Sequence, residues 1–249
     1  MHTHSHVDTD KPDAKPVVQD WNAYTAEDHE VWQILYAKRM RELESTASDV
    51  FLEGAEIIGL APEHIPNLAE VNRRLRRRTG WSAVPVGGFL PAREFFESLA
   101  QRKFPTTITI RAKDKIDYVP EPDIFHDVFG HVPLHSDPAF AGFLQKCGEV
   151  AARASTDAEV EMMTRLFWFT VEFGLVREGG QTKIYGSGLI SSAGDAANAL
   201  GPSCDRRPFS VDAVLAQSFR IDELQDTLFV VESFDQLFEA INDVASRIS

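Results

Sequence analysis

Residues 119–134 read VPEPDIFHDVFGHVPL, and their punctuation sets the local geometry. Pro120 and Pro122 hold an extended approach, Asp123 is placed to cap, and Ile124 to Phe129 have room for a turn or two of helix. Gly130 then ends it. His126 and His131 are five residues apart, which on one continuous α-helix would put them about 140° apart around the axis, too far for easy chelation. A left-handed Gly130 would let the chain leave the helix and swing His131 back towards His126. The stretch therefore predicts a short, broken helix carrying a histidine pair.

A third donor is needed, and RLFWFTVEFGLV at 165–176 offers one. Glu172 is the only charged residue between Arg165 and Arg177. A helix apolar all round is a buried one, and a buried carboxylate is costly unless paired or bound to metal. Two histidines and one carboxylate leave coordination positions open, as in the facial triad of non-haem Fe(II) oxygenases. The same donors serve catalytic zinc, so spacing leaves the metal open. It also leaves open a plainer arrangement, with histidines satisfied at a helix end and Glu172 paired to Arg111 or Arg177.

Outward from these stretches the chain reads as mainly α with a small β-sheet. Thr25 with Asp28 has the form of a capping box, followed by Val31, Trp32, Leu35, Tyr36 and Leu43 on one face. Apolar stripes recur at Phe51, Leu52, Ala55 and Ile58, and at Phe95, Phe96 and Leu99 after Pro91. Further helices are predicted near 139–153, 157–175 and 234–248, the last two opened by Thr156 with Glu159 and Ser233 with Gln236. Strands are predicted at 106–111 (TTITIR), 183–186 (KIYG) and 227–231 (TLFVV). Residues 1–20 are polar, with His2, His4 and His6 read as solvated, and are expected to form a flexible N-terminal tail before one domain over 21–249. The arginine run Arg73, Arg74, Arg76, Arg77 and Arg78 reads as a solvated helix face.

The 249 residues are 43% hydrophobic, enough for one large core. A net charge of -13 argues against nucleic acid or an anionic membrane as partner. Two cysteines, Cys147 and Cys204, give no disulfide framework, and no apolar leader or 18-residue apolar run is present. The expected location is the cytoplasm.

PEPDIFHDVFGHVPL, WFTVEFGL and YGSGLISS together closely resemble the pterin-dependent aromatic amino acid hydroxylases. The resemblance runs from about Ile65 through VVESF at 230–234 and is nearest to the compact bacterial phenylalanine-hydroxylating members. It implies the single-domain catalytic fold of that family, with Fe(II) on His126, His131 and Glu172, a tetrahydropterin (tetrahydrobiopterin or a bacterial equivalent) as cofactor, and O2 as co-substrate. It further implies that Phe95 stacks on the pterin while Gly88 and Leu90 offer backbone contacts. Arg111 would take the substrate carboxylate, a role suited to a bidentate fork. Trp168 and Pro122 would line the ring pocket, and Gly188, Ser191 and Ser192 would close around the amino-acid end.

Two departures from animal members stand out: Val119 in place of a threonine and Phe167 in place of a tyrosine. Trp168 favours phenylalanine or tyrosine over tryptophan. Ile221, aligned back from VVESF, would give the aliphatic lining suited to a ring without a hydroxyl. L-Phenylalanine is the expected substrate, with tyrosine or tryptophan hydroxylation as alternatives. A zinc hydrolase lacks an HExxH-type base here, and a non-catalytic metal-binding protein would leave Arg111 and Trp168 without purpose. The resemblance shows neither the regulatory domain nor the long tetramerisation helix of animal members, so a monomer is expected.

Overall fold

The computed structural model describes residues 17–88, 90–116, 122–221 and 223–248. Residues 1–16, with His2, His4 and His6, and also Val119 lie outside the described residues, whereas Gln19 of the expected tail donates to the Pro66 carbonyl and accepts from Leu68 N–H. Thr25 and Asp28 form the expected capping box, each side chain accepting from the other's backbone N–H, and open α1 (Ala26–Thr46). Its buried face is Val31, Trp32, Leu35 and Leu43, joined by the charged Arg39. Then follow α2 (Asp49–Ile58), α3 (Leu68–Arg78), β1 (Ser82–Pro85), α4 (Ala92–Ala100) and β2 (Lys103–Thr106). The arginine run is on the exposed side of α3, as its pattern predicts.

Beyond the π-helical segment Phe125–His131 come α5 (Pro138–Ala151) and α6 (Asp157–Phe167), the second running on into another π-helical segment, Trp168–Glu172. The remainder is β3 (Leu175–Glu178), β4 (Gln181–Ile184), α7 (Ser187–Ser191), α8 (Ala193–Leu200), β5 (Asp205–Pro208), α9 (Val211–Ala216), β6 (Thr227–Val231) and α10 (Phe234–Arg247). β1 and β2 pair in parallel, and a four-stranded sheet runs β4-β3-β6-β5, antiparallel only between β3 and β4. The fold is mainly helical with small sheets, as expected. Among the described residues no helix is long and apolar enough to cross a membrane.

Ser233 starts α10 without a side-chain cap, and the strand predicted at 183–186 ends at Ile184; two further expectations are corrected. The strand predicted at 106–111 ends at Thr106, because the following backbone turns to other partners. Thr107 N–H donates to the Asp127 carboxylate, Arg111 N–H to that of Asp123, and the Thr109 carbonyl accepts from Ile124 N–H. The segment is therefore fastened along Asp123–Asp127 instead of within a sheet. Secondly, Gly130 is not left-handed. The chain stays helical through His131, but with the wider π ladder, in which residue i bonds to i+5.

That ladder is what brings residues five apart onto one face. Gly130 is needed for a different reason: a Cβ there would sit 3.1 Å from the Ser187 carbonyl oxygen. Its bareness lets α7 lie directly against the histidine segment. The buried Arg39 of α1 fixes α7 from the other end, donating from Nε to the Ile190 carbonyl (2.8 Å) and from Nη2 to that of Leu189 (3.0 Å).

Candidate metal centre and active site

Both π segments aim their polar side chains at one point. Ligand atoms of His126, His131 and Glu172 all lie within 4.8 Å of one another. His126 Nε2 is 3.3 Å from His131 Nε2, and His131 Nε2 is 3.2 Å from Glu172 Oε1. Two donors each about 2.1 Å from one ion at right angles would be about 3.0 Å apart, so these spacings fit adjacent corners of one coordination shell. The donor chemistry fits a divalent transition metal with open positions.

The surrounding hydrogen bonds fix the tautomer of His126. Ser191 donates its hydroxyl proton to the Ser187 carbonyl (2.8 Å), so its oxygen must accept from His126 Nδ1 (2.9 Å). The proton is then on Nδ1 and the Nε2 lone pair faces the cluster. Glu172 is held as an anion: burial raises its pKa, but the imidazoles of His131 and His126 and the Ser187 hydroxyl outweigh this and bring it to about 2. His131 is buried with its ring 4.7 Å from that of Phe104.

Asp123 joins this cluster to Arg111. It caps the histidine segment by accepting from His126 N–H (3.0 Å), and it receives the Arg111 fork at 2.7 and 2.9 Å. Burial works against its charge, yet the Arg111 guanidinium holds its carboxyl below the ordinary value. Arg111 is therefore engaged along one edge, with Nη1 3.3 Å from the Ile116 carbonyl. Asp127 also faces inward, accepting from Thr107 N and Oγ1 at 2.6 and 2.8 Å.

Trp168 is flanked by Phe173 and Phe219, at 4.7 and 4.6 Å between ring centres, and its Nε1–H donates to Gln225 Oε1 at 3.3 Å. Phe95 is half-buried, edge-on to Phe167 at 5.3 Å and to Phe104 at 5.9 Å, which ties it through Phe104 to His131. Gly88 and Leu90 occupy the β1–α4 loop, where Gly88 is exposed with φ of 147°. Gly188 is buried in α7, since a Cβ there would meet the Phe173 ring at 3.0 Å.

Other expected residues stand apart. Ser192 serves as the N-cap of α8, accepting from Asp195 N–H. Pro122 is exposed at the edge of the segment 117–121, which lies outside the described residues. Ile221 is 80% exposed, so it does not supply the aliphatic lining expected of it; the ring beside Trp168 is Phe219. Ser187, Phe219 and Gln225 were not singled out by sequence, although the i, i+4 spacing of Ser187 and Ser191 in YGSGLISS was a usable signal.

A mainly helical domain that closes two imidazoles and one carboxylate around a point defines a class, and the sequence profile of the biopterin-dependent aromatic amino acid hydroxylases matches residues 15–249. The chain belongs to that family. Among its relatives, it is 42% identical over 223 residues to the phenylalanine-4-hydroxylase of Ralstonia nicotianae, covering 89% of this chain and 71% of that protein. It is 41% identical over 232 residues to that of Caulobacter vibrioides, covering 92% and 79%. The crystal structure of Chromobacterium violaceum phenylalanine hydroxylase with bound iron(III) and oxidized cofactor 7,8-dihydrobiopterin superposes with a TM-score of 0.88 at 39% identity, covering 93% of this chain and 85% of that one.

Proposed function

We propose that the protein is a phenylalanine 4-monooxygenase, converting L-phenylalanine to L-tyrosine with O2 and a tetrahydropterin at an Fe(II) centre held by His126, His131 and Glu172. The observation that carries this is the convergence of those three ligand atoms within 4.8 Å, inside a family that includes an iron- and dihydrobiopterin-bound phenylalanine hydroxylase. When bound, the iron and the pterin supply oxygen activation and two electrons. The protein's own part is position and exclusion of water. Arg111, held by Asp123, keeps its remaining N–H groups for the substrate carboxylate. Trp168, braced by Phe173 and Phe219, offers its remaining surface to the incoming ring, a favourable aromatic contact. Phe95 offers a ring to the pterin, with the Gly88 and Leu90 backbone beside it.

The choice of phenylalanine over tyrosine rests on likeness to the phenylalanine-4-hydroxylases, since Ile221 is out in solvent. The working form is proposed to be a cytoplasmic monomer. A net charge of -13 keeps copies apart, and both cysteines are free. Gel filtration with light scattering checks the monomer. The function is tested by supplying Fe(II), a tetrahydropterin, oxygen and equimolar phenylalanine, tyrosine and tryptophan. Tyrosine formed from phenylalanine is expected; hydroxylation of another ring overturns the substrate, and metal binding without any product overturns the activity.

A further inference from the structure

Ser187 is completely buried at the start of α7, between the two π segments that carry the ligands. Its hydroxyl donates to Glu172 Oε2 at 2.7 Å, and among the described residues the other acceptor in reach, the Val171 carbonyl, is farther away at 3.3 Å. A hydroxyl has one proton to give, so the shorter, charge-assisted contact dominates. The contact is built by the glycines on both sides. A Cβ on Gly186 would sit 2.4 Å from the Glu172 carbonyl oxygen, and one on Gly188 would sit 3.1 Å from the same atom. Only bare backbone at both positions lets Ser187 come so close to Glu172.

The two carboxylate oxygens are thereby made unequal. Oε2 receives the Ser187 proton and stands 3.7 Å from His126 Nε2. Oε1 is 3.2 Å from His131 Nε2 and receives no hydroxyl proton among the described residues. The same residue reaches the other side of the cluster, because its carbonyl takes the Ser191 proton and so makes Ser191 an acceptor for His126 Nδ1.

We propose that Ser187 is a positioning residue for the metal centre, engaging Glu172 Oε2 so that the carboxylate presents Oε1 alone and binds the metal through one oxygen. This keeps a coordination position free that a two-oxygen carboxylate would take. The inference rests on the reading of His126, His131 and Glu172 as ligands, and the experiment separates the two.

Co(II) alone is titrated into metal-free wild type and Ser187→Ala, following visible absorption and affinity; thermal unfolding of both metal-free proteins is recorded alongside. The variant is expected to bind Co(II) about tenfold more weakly, the size typical of losing a partner of a metal ligand, and to show shifted Co(II) bands as the freed oxygen joins the shell. Should the alanine variant not fold, a crystal structure of Co(II)-loaded wild type decides: one Glu172 oxygen on the metal is expected, and two would overturn the proposal. Unchanged affinity and bands in a folded variant, even with a lower melting temperature, would make Ser187 an ordinary buried hydroxyl and overturn the proposal alone. A wild type that takes up no Co(II) overturns the ligand reading itself, and this inference with it.

Discussion

The metal cluster and the aromatic wall beside it are built to different standards. At the cluster, each ligand has its own support: Ser191 on His126, the Phe104 ring on His131, Ser187 on Glu172. At the wall, Trp168 relies on two ring contacts and one long bond, 3.3 Å, to Gln225. Gln225 in turn folds its own loop, donating to the carbonyls of Arg220 and Glu223, and beyond it Ile221 and Leu224 are 80% and 55% exposed. The two regions divide the labour. A coordination shell tolerates little displacement and its ligands are braced from helical elements; Trp168 shares the Glu172 segment, but its ring, a tolerant surface, is braced from the loop residues Phe219 and Gln225.

Removing a ligand should have the largest effect. Glu172→Ala should lose bound iron on dialysis and bring turnover down by about a thousandfold or more, on the order of 4 kcal/mol, with the helical circular dichroism retained. Retained iron with normal turnover would mean the cluster is not the metal site. Next in size is Asp123→Ala, which strands the buried Arg111 and removes the cap on His126. Breaking such a buried pair costs about 3–5 kcal/mol, and the denaturant midpoint should fall accordingly. Because Asp123 touches both the histidine segment and the expected substrate arginine, this variant should raise KM for phenylalanine and weaken iron retention together.

Gln225→Leu sharpens the contrast. It leaves Trp168 Nε1–H without its acceptor, a loss worth about 1–3 kcal/mol, and frees two loop carbonyls. KM for phenylalanine should rise about tenfold, the lower part of that range, while iron content stays as in wild type. Iron loss here would show that wall and platform are one unit.

Much of this division was legible in the residues. Glu172 stood out as a lone charge in an apolar run, the Thr25–Asp28 and Thr156–Glu159 boxes opened their helices as read, and TLFVV is a strand over its full length. The π turns were not legible, because the same side chains suit an α-helix; both segments pack against α7, a contact between residues distant in sequence. His126 and His131 were therefore paired for the wrong backbone reason. TTITIR has strand composition, but its donors and acceptors are claimed by Asp123, Asp127 and Ile124, residues distant in sequence. Ile221 was placed in the pocket by counting along the chain, which carries no information on how a loop turns its side chains.

The smallest expected effect concerns His135, just past the ligand segment. Its ring is packed among Trp81, Phe104 and Phe140 at 4.8, 4.7 and 6.4 Å, Nδ1 donates to the His131 carbonyl at 2.9 Å, and Nε2 is buried with no partner among the described residues. Burial lowers its pKa to about 3, whereas in the unfolded chain a histidine titrates near 6.5. Between those values the unfolded chain holds a proton that the native state excludes. Stability therefore falls as pH drops below about 6.5, by about 1.4 kcal/mol per pH unit. His135→Phe keeps the aromatic volume and removes the titration, so the stability lost by metal-free protein between pH 7.5 and 5.5 should shrink by about 1.4 kcal/mol. Urea melts of wild type and variant at the two pH values measure it. An unchanged difference would mean that His135 takes up its proton in the native state, and that the packing behind His131 is looser than the platform requires.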